Sequence, residues 1–208
     1  MNKNILNTTN QSFIDENLNA EIATLLFKKQ SDLAVNIKEL VEQIEAKKRC
    51  KKKLSTWFNT ANIYYPNKLN IEQTSSETTA AFKANLISGE SIIDLTGGFG
   101  VDCFYFSKNF KNVTHCEINQ ELSNIVKHNY KQLEVSNIET QNINGLDYLN
   151  KQNATYSWIY IDPSRRHDSK GKVFFLNDCL PNVPENLELL FKHSDHILIK
   201  TSPLLDLS

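Results

Sequence analysis

The 208-residue sequence predicts an α/β fold: a doubly wound, mostly parallel sheet with a small helical N-terminal subdomain in front of it. Three observations predict it. From residue 74 onward, short apolar runs alternate with amphipathic helical stretches. The first of those runs leads into a glycine-rich turn, Thr96-Gly97-Gly98-Phe99-Gly100. The second run ends in an acid, Glu117, about 20 residues past the glycines, the spacing at which an acid meets a ribose in nucleotide-binding α/β sheets.

Residues 1–12 are polar and rich in Asn and Thr, and are expected to fray. From Phe13 to about Arg49 the pattern is helical. Ile22, Leu25 and Leu26 form one apolar stripe. Leu33, Ile37, Leu40, Val41 and Ile44 form another after a Ser31-Asp32 start signal. Residues 1–55 are read as the helical subdomain. Residues 56–73, with Trp57, Phe58, Tyr64, Tyr65 and Pro66, are read as an irregular aromatic connection, and 74–208 as the ligand-binding domain. Thr74-Ser75-Ser76-Glu77 has capping-box spacing, which predicts Thr74 as the N-cap of a helix running to about Ser88 and closed by Gly89. Strands follow at Ser91–Leu95, Val113–Glu117, Ile138–Ile143, Trp158–Asp162 and His196–Lys200. Helices are expected through Phe106, from Gln120 (with Leu122, Ile125, Val126, Tyr130 and Leu133 on one face) and from Pro184.

Composition excludes several classes. With 40% hydrophobic and 23% charged residues the chain reads as globular. No run approaches the ~20 apolar residues of a membrane span, and the N-terminus lacks a signal pattern, so a cytoplasmic protein is expected. The four cysteines are scattered without a C-x-x-C pair, which predicts reduced thiols, no disulfide framework and no metal site. His193 and His196 read as packing or surface residues. The net charge of −1 gives no global pull toward nucleic acid, yet Lys47, Lys48, Arg49, Lys51, Lys52 and Lys53 concentrate positive charge in one run. Lys48 and Lys52 are taken from it as candidate RNA contacts, against the equal reading of a solvated helix end.

In sheets of this kind ligands sit at the carboxyl ends of the strands, where strand order reverses. The Asp94–Gly100 turn leaves the first strand there, its glycines allowing close backbone approach. Glu117 closes the second strand, as a ribose acceptor or as a helix-capping acid. Asp162-Pro163-Ser164-Arg165-Arg166 closes the fourth, fixing a carboxylate and backbone carbonyls beside the pocket. A dinucleotide dehydrogenase has no need of that corner and wants a third glycine where this chain has Cys103.

Together these segments resemble the class I S-adenosylmethionine-dependent methyltransferases, over roughly residues 74–202. The resemblance implies a Rossmann-like sheet binding S-adenosyl-L-methionine. Asp94, Thr96, Gly97, Gly98 and Gly100 match its glycine motif, Glu117 and Ile118 its ribose site, and Asn144, Gly145 and Leu146 its adenine-contacting turn. Asp162-Pro163-Ser164-Arg165 lies where amine methyltransferases carry Asp/Asn-Pro-Pro-aromatic. Glu72-Gln73-Thr74-Ser75-Ser76-Glu77, the Asp-Pro-Ser-Arg-Arg run and Lys200-Thr201-Ser202-Pro203-Leu204-Leu205-Asp206 look like bacterial methyltransferases with a C-terminal THUMP-like domain, relatives of the trimethylguanosine-synthase group. That resemblance implies that Thr74, Ser76 and Thr78 fold over the methionine end of the cofactor, and that the partner is RNA, transfer or ribosomal.

Two departures bear on the acceptor. Ser164 and Arg165 replace the second proline and the aromatic, so Arg165 would stack or hold phosphate, with Arg166 beside it, or Phe174 or Phe175 would fold back to stack. The competing reading of both arginines is salt bridges to an acidic body. The family's sheet also has two further strands beyond the fifth, so the sequence is expected to be part of a longer protein whose fifth strand is an edge here. An NAD-type oxidoreductase and a catalytically inactive cofactor- and RNA-binding module are the rival readings.

Overall fold

The computed structural model describes residues 1–26, 35–167, 171–172 and 175–203, with 166–167 and 171–172 as backbone only. Ser31, Asp32, Leu33, Phe174, Leu204, Leu205 and Asp206 lie outside the described residues.

The N-terminus is ordered rather than frayed. A 3-10 turn (Lys3–Leu6) leads into α1 (Thr8–Glu16). The asparagines that suggested disorder are caps: Asn2 accepts the Asn4 N–H at 3.1 Å and Asn7 the Asn10 N–H at 2.8 Å, while Ile5, within the 3-10 turn, is buried. Next come α2 (Ile22–Leu26) and α3 (Ile37–Lys53), the latter capped by Asn36 and burying Leu40, Val41, Ile44 and Cys50 along one stripe. The stretch expected to be irregular holds two short helices, α4 (Ser55–Asn59) and α5 (Lys68–Gln73). The segment between them is pinned by side-chain amides that satisfy strand-like backbone in a buried setting. Gln43 exchanges two hydrogen bonds with the Tyr65 backbone, and Asn129 exchanges two with Tyr64.

Helix α6 (Glu77–Ala84) starts two residues later than the capping box suggested. Its N-cap is Ser76, which accepts the Thr79 N–H, and Thr74 is instead the C-cap of α5. Glu77 does not reach back. Its carboxylate accepts the Thr56 N–H at 2.6 Å at the start of α4 and the Tyr105 hydroxyl at 3.0 Å, tertiary partners that outcompete the local one. The helix ends at Ala84, and Gly89 opens the first strand.

The strands are β1 (Gly89–Asp94), β2 (Phe110–Cys116), β3 (Ile138–Gln141), β4 (Trp158–Ile161), a short antiparallel pair β5 (Arg166–His167) and β6 (Gly171–Lys172), and β7 (Ile197–Ile199). Five form one sheet, all parallel, in the order β3-β2-β1-β4-β7. Between them run α7 (Val101–Phe106), α8 (Gln120–Gln132), α9 (Gly145–Asn150) and α10 (Leu187–His193), the last entered through a 3-10 turn at Pro184–Asn186.

Period-2 alternation splits the core into two layers. Ile92 and Tyr160 face a cluster containing Trp57, Phe106, Val126 and the N-terminal helices. Ile93, Ile159 and Ile161 face Leu149 and Leu190 on the other side. Chain order reverses at β1, whose neighbours are β2 and β4, and that opens a crevice above their carboxyl ends. Among the described residues, no helix is long and apolar enough to cross a membrane, and no group of three His, Cys, Asp or Glu is placed to hold a metal. All four cysteines are free and buried.

Candidate cofactor and acceptor site

A cleft of about 1120 Å³ occupies that crevice. Its floor is the exit of β1. Asp94, 1% exposed, accepts the Thr96 N–H at 2.8 Å and the Thr96 hydroxyl at 3.1 Å on one oxygen, with the Cys103 thiol 3.4 Å from the other. Burial pushes its carboxyl up to about 7. Thr96 also accepts the Asp162 N–H at 2.8 Å, so one hydroxyl ties the ends of β1 and β4 together.

Gly97 has no room for a Cβ over the His115 ring, and two further close approaches shape the glycine turn. Gly100, at φ +78°, caps α7 where a Cβ would run into Tyr130, whose hydroxyl donates to the Gly100 carbonyl at 2.9 Å. Gly145 lets α9 press against β1, for a Cβ there would lie 2.5 Å from the Leu95 carbonyl oxygen. Gly98 differs from both. Nothing comes nearer than 3.7 Å to the place its Cβ would take. Its N–H donates to Glu117 at 3.0 Å, and the other Glu117 oxygen accepts the Asn119 N–H at 2.7 Å. Burial raises the Glu117 carboxyl from its ordinary value, with both backbone donors opposing. Beneath the turn His115 is fully buried and held neutral, its pKa lowered to about 4 by burial.

At the other wall, Asp162 receives the Lys200 ammonium at 2.6 Å. Burial raises its carboxyl and Lys200 pulls it back. Pro163 is buried, and Ser164 exchanges two backbone hydrogen bonds with Leu180, at 2.7 and 3.0 Å, which clamps the corner against the 180–182 segment. Arg165 lines the cleft and has one buried guanidinium nitrogen, Nη1, without a hydrogen-bond partner.

Most of the residues read from the sequence therefore meet here: Thr74, Asp94, Thr96, Gly97, Gly98, Glu117, Ile118, Asn144, Gly145, Leu146, Asp162, Pro163, Ser164 and Arg165 all line the cleft. Ser76 and Thr78 do not. Ser76 is spent on its cap and Thr78 is exposed on α6, while Ser75, just ahead of the cap, lines the cleft. Gly100 shapes the turn from behind without lining it. Asn144 is the N-cap of α9, accepting the Leu146 N–H at 2.9 Å. Phe175 is 50% exposed and off the cleft, and Arg166 is described as backbone of β5. Lys48 donates to the Ala20 carbonyl at 3.1 Å, Lys47 pairs with Asp15 and Lys53 caps the end of α5; Lys52 is exposed. Much of the basic run is thus internal wiring.

The sequence reading missed Lys200 as a site residue, together with Ser75, Asp102 and Tyr160. Lys200 had a signal. Parallel pairing of β4 with β7 sets Ile161 beside Ile199, which brings the next residue of each strand, Asp162 and Lys200, together.

Among solved structures, the chain is similar to a Porphyromonas gingivalis protein assigned as a methyltransferase, with a TM-score of 0.79 and 26% identity over 98% of this chain. The fold is the Rossmann-like methyltransferase fold. This chain spans 50% of that protein's length. Weaker likenesses are an S-adenosylmethionine-dependent methyltransferase of Agrobacterium tumefaciens (TM-score 0.44, 16% identity, 61% of this chain and 44% of that one) and Trm5b of Pyrococcus abyssi (TM-score 0.42, 17% identity, 65% and 33%). No protein-family model and no curated protein matches the chain.

Proposed function

We propose that the protein is an S-adenosylmethionine-dependent methyltransferase that methylates an amine nitrogen of an RNA base. The observation that carries the cofactor reading is the pairing of Gly98 and Glu117. A turn with open space at one glycine, and an acid one hydrogen bond away at the end of the next strand, fit an adenosine laid across the switch point. Glu117 would accept ribose hydroxyls, and Ile118, Gly145 and Leu146 would flank the adenine. When bound, the cofactor supplies an electrophilic methyl group, and the protein's part is alignment.

Asp162 and the Pro163 carbonyl supply that alignment, accepting an amine's hydrogens and so turning its lone pair toward the cleft. Burial raises the Asp162 carboxyl, and the Lys200 ammonium opposes that shift and favours the ionised form. Arg165, with its unpaired nitrogen, suits a phosphate or a base edge, and Lys52 and Arg166 would extend the RNA contact. The test is transfer of a tritiated methyl group from S-adenosylmethionine to transfer- and ribosomal-RNA pools, with protein pools as control. Label in RNA supports the reading. Label only in protein overturns the acceptor, and tighter binding of NAD than of S-adenosylhomocysteine overturns the cofactor.

A further inference from the structure

The lining of the cleft includes part of a buried ionic cluster that the methyltransferase motifs do not mention. Asp102, in the first turn of α7, is 8% exposed. One of its oxygens, Oδ2, takes every donor available: the Lys83 ammonium at 2.7 Å, the Ser75 hydroxyl at 3.0 Å and the Tyr160 hydroxyl at 3.0 Å. Lys83 also donates to Ser75 at 2.9 Å and to Tyr160 at 2.6 Å. The second oxygen, Oδ1, is buried and has no hydrogen-bond partner.

A buried carboxylate oxygen left empty is costly, and native structures keep few of them without a use. This one belongs to a residue that lines the cleft together with Ser75 and Tyr160, its cluster-mates. Lys83 balances the charge of Asp102, so the cluster is neutral as built, and a zwitterionic amino-acid ligand, which brings its own carboxylate, leaves that balance unchanged. It is also held on three separate elements, the last turn of α6, α7 and β4, with Ser75 from the turn ahead of α6, which fixes the direction of the empty lone pair before any ligand arrives.

We propose that Oδ1 of Asp102 accepts the α-ammonium of the cofactor's amino-acid end, with Ser75, Lys83 and Tyr160 as the residues that position it. This rests on the methyltransferase reading and makes it specific. The glycine turn and Glu117 bind the nucleoside, and the Asp102 cluster selects ligands that carry a primary ammonium on the sulfur side. No bond is made or broken by this group.

The test is calorimetry on the full chain with four ligands: S-adenosylhomocysteine, its analogue lacking the amine, its analogue lacking the carboxylate, and 5′-methylthioadenosine. On the wild type, removing the amine weakens binding by about tenfold or more, and removing the carboxylate weakens it less. In a variant with the ion pair replaced by apolar residues of similar size (Lys83→Met with Asp102→Leu), S-adenosylhomocysteine and its deaminated analogue bind within about twofold of each other. Binding of 5′-methylthioadenosine is unchanged by that variant. If the wild type binds the deaminated analogue as tightly as the parent, the proposal is overturned even should the variant fail to fold. An amine preference that survives in the variant overturns it too, while leaving the cofactor reading intact. Failure of all four ligands on the wild type removes the cofactor reading as well.

Discussion

The two acids that close β2 and β4 face the same cleft from opposite sides of the switch point and are held in opposite ways. Glu117 is held by two neutral backbone N–H groups, those of Gly98 and Asn119, on the loops that follow β1 and β2. Asp162 is held by a side-chain cation, Lys200, brought in from the neighbouring strand. Burial raises both carboxyls, and the opposing force is backbone dipoles in one case and a full charge in the other. The difference suits two tasks. A carboxylate fixed by backbone donors is a stationary acceptor for a ligand that must always land in the same place. A carboxylate paired to a flexible ammonium can change partners during a reaction cycle.

Removing the stationary acid should produce the larger effect. Glu117→Ala deletes charge-assisted hydrogen bonds worth ~1.5–3 kcal/mol each, which is ~10–100-fold in affinity for S-adenosylhomocysteine per bond. Glu117→Gln, which keeps one carbonyl acceptor, should fall between. Calorimetry that returned wild-type affinity for the alanine variant would remove Glu117 from the cofactor site.

Lys200→Met tests the mobile acid and should act on turnover instead. Without the ammonium, Asp162 loses what lowers its pKa, so it protonates at higher pH and less of it is ionised at any given pH. If Asp162 acts ionised, the acid limb of the kcat profile moves upward, and activity on that limb falls about tenfold for each pH unit of displacement. Affinity for S-adenosylhomocysteine should stay within about twofold. A loss of cofactor affinity with an unmoved acid limb would show that the two ends of the cleft are not the separate devices described above.

A third test contrasts two glycines. Gly145→Ala forces a methyl group against Leu95 backbone that has nowhere to go, an overpacking cost of about 1–3 kcal/mol in thermal or denaturant unfolding. Gly98→Ala meets open space and carries mainly the strain of φ +54°, about 1 kcal/mol, but puts its methyl group where the ligand is expected. Gly145→Ala should therefore cost more stability, and Gly98→Ala more cofactor affinity. The reverse ranking would mean that the ligand does not approach the turn at Gly98.

The half of the cleft built by the Asp94–Gly100 turn and Glu117 was far more legible in the sequence than the rest, for a physical reason. The Asp94–Gly100 turn and Glu117 are placed by strand periodicity and by backbone constraints that operate within a few residues, so local pattern suffices. The five sheet strands and α8 were readable on the same grounds. The capping box at Thr74 misled because Glu77 found better partners at Thr56 and Tyr105, far along the chain. The order of the first residues was hidden because asparagine caps and a disordered tract look alike in composition. The Asp102 cluster was invisible for a related reason. Lys83, Asp102 and Tyr160 are ordinary residues in their own elements, and only the docking of α6 and α7 over β4 makes them a unit.

The smallest expected effect is a near-absence. His115 lies under the glycine turn and Asp94 at the end of the adjacent strand, paired in register, and both are buried with shifted pKa values of opposite consequence. His115, lowered to about 4 from 6.5, binds its proton less readily folded than unfolded, so it withdraws stability as pH falls below 6.5. Asp94, raised to about 7 from 3.8, binds its proton more readily folded, so it adds stability as pH falls below 7. Between pH 8 and pH 5 each contribution is about 2 kcal/mol with opposite sign, and from these two groups the wild type should change by about 1 kcal/mol or less. His115→Gln leaves Asp94 uncompensated, so its unfolding free energy should climb by about 2 kcal/mol more than the wild type's on acidification; Asp94→Asn should show the mirror image. Denaturant unfolding at pH 8 and pH 5 measures all three proteins. Equal pH dependence in wild type and His115→Gln would mean that the histidine is charged in the folded protein at pH 5, and with it would go the picture of a neutral, desolvated floor beneath the glycine turn.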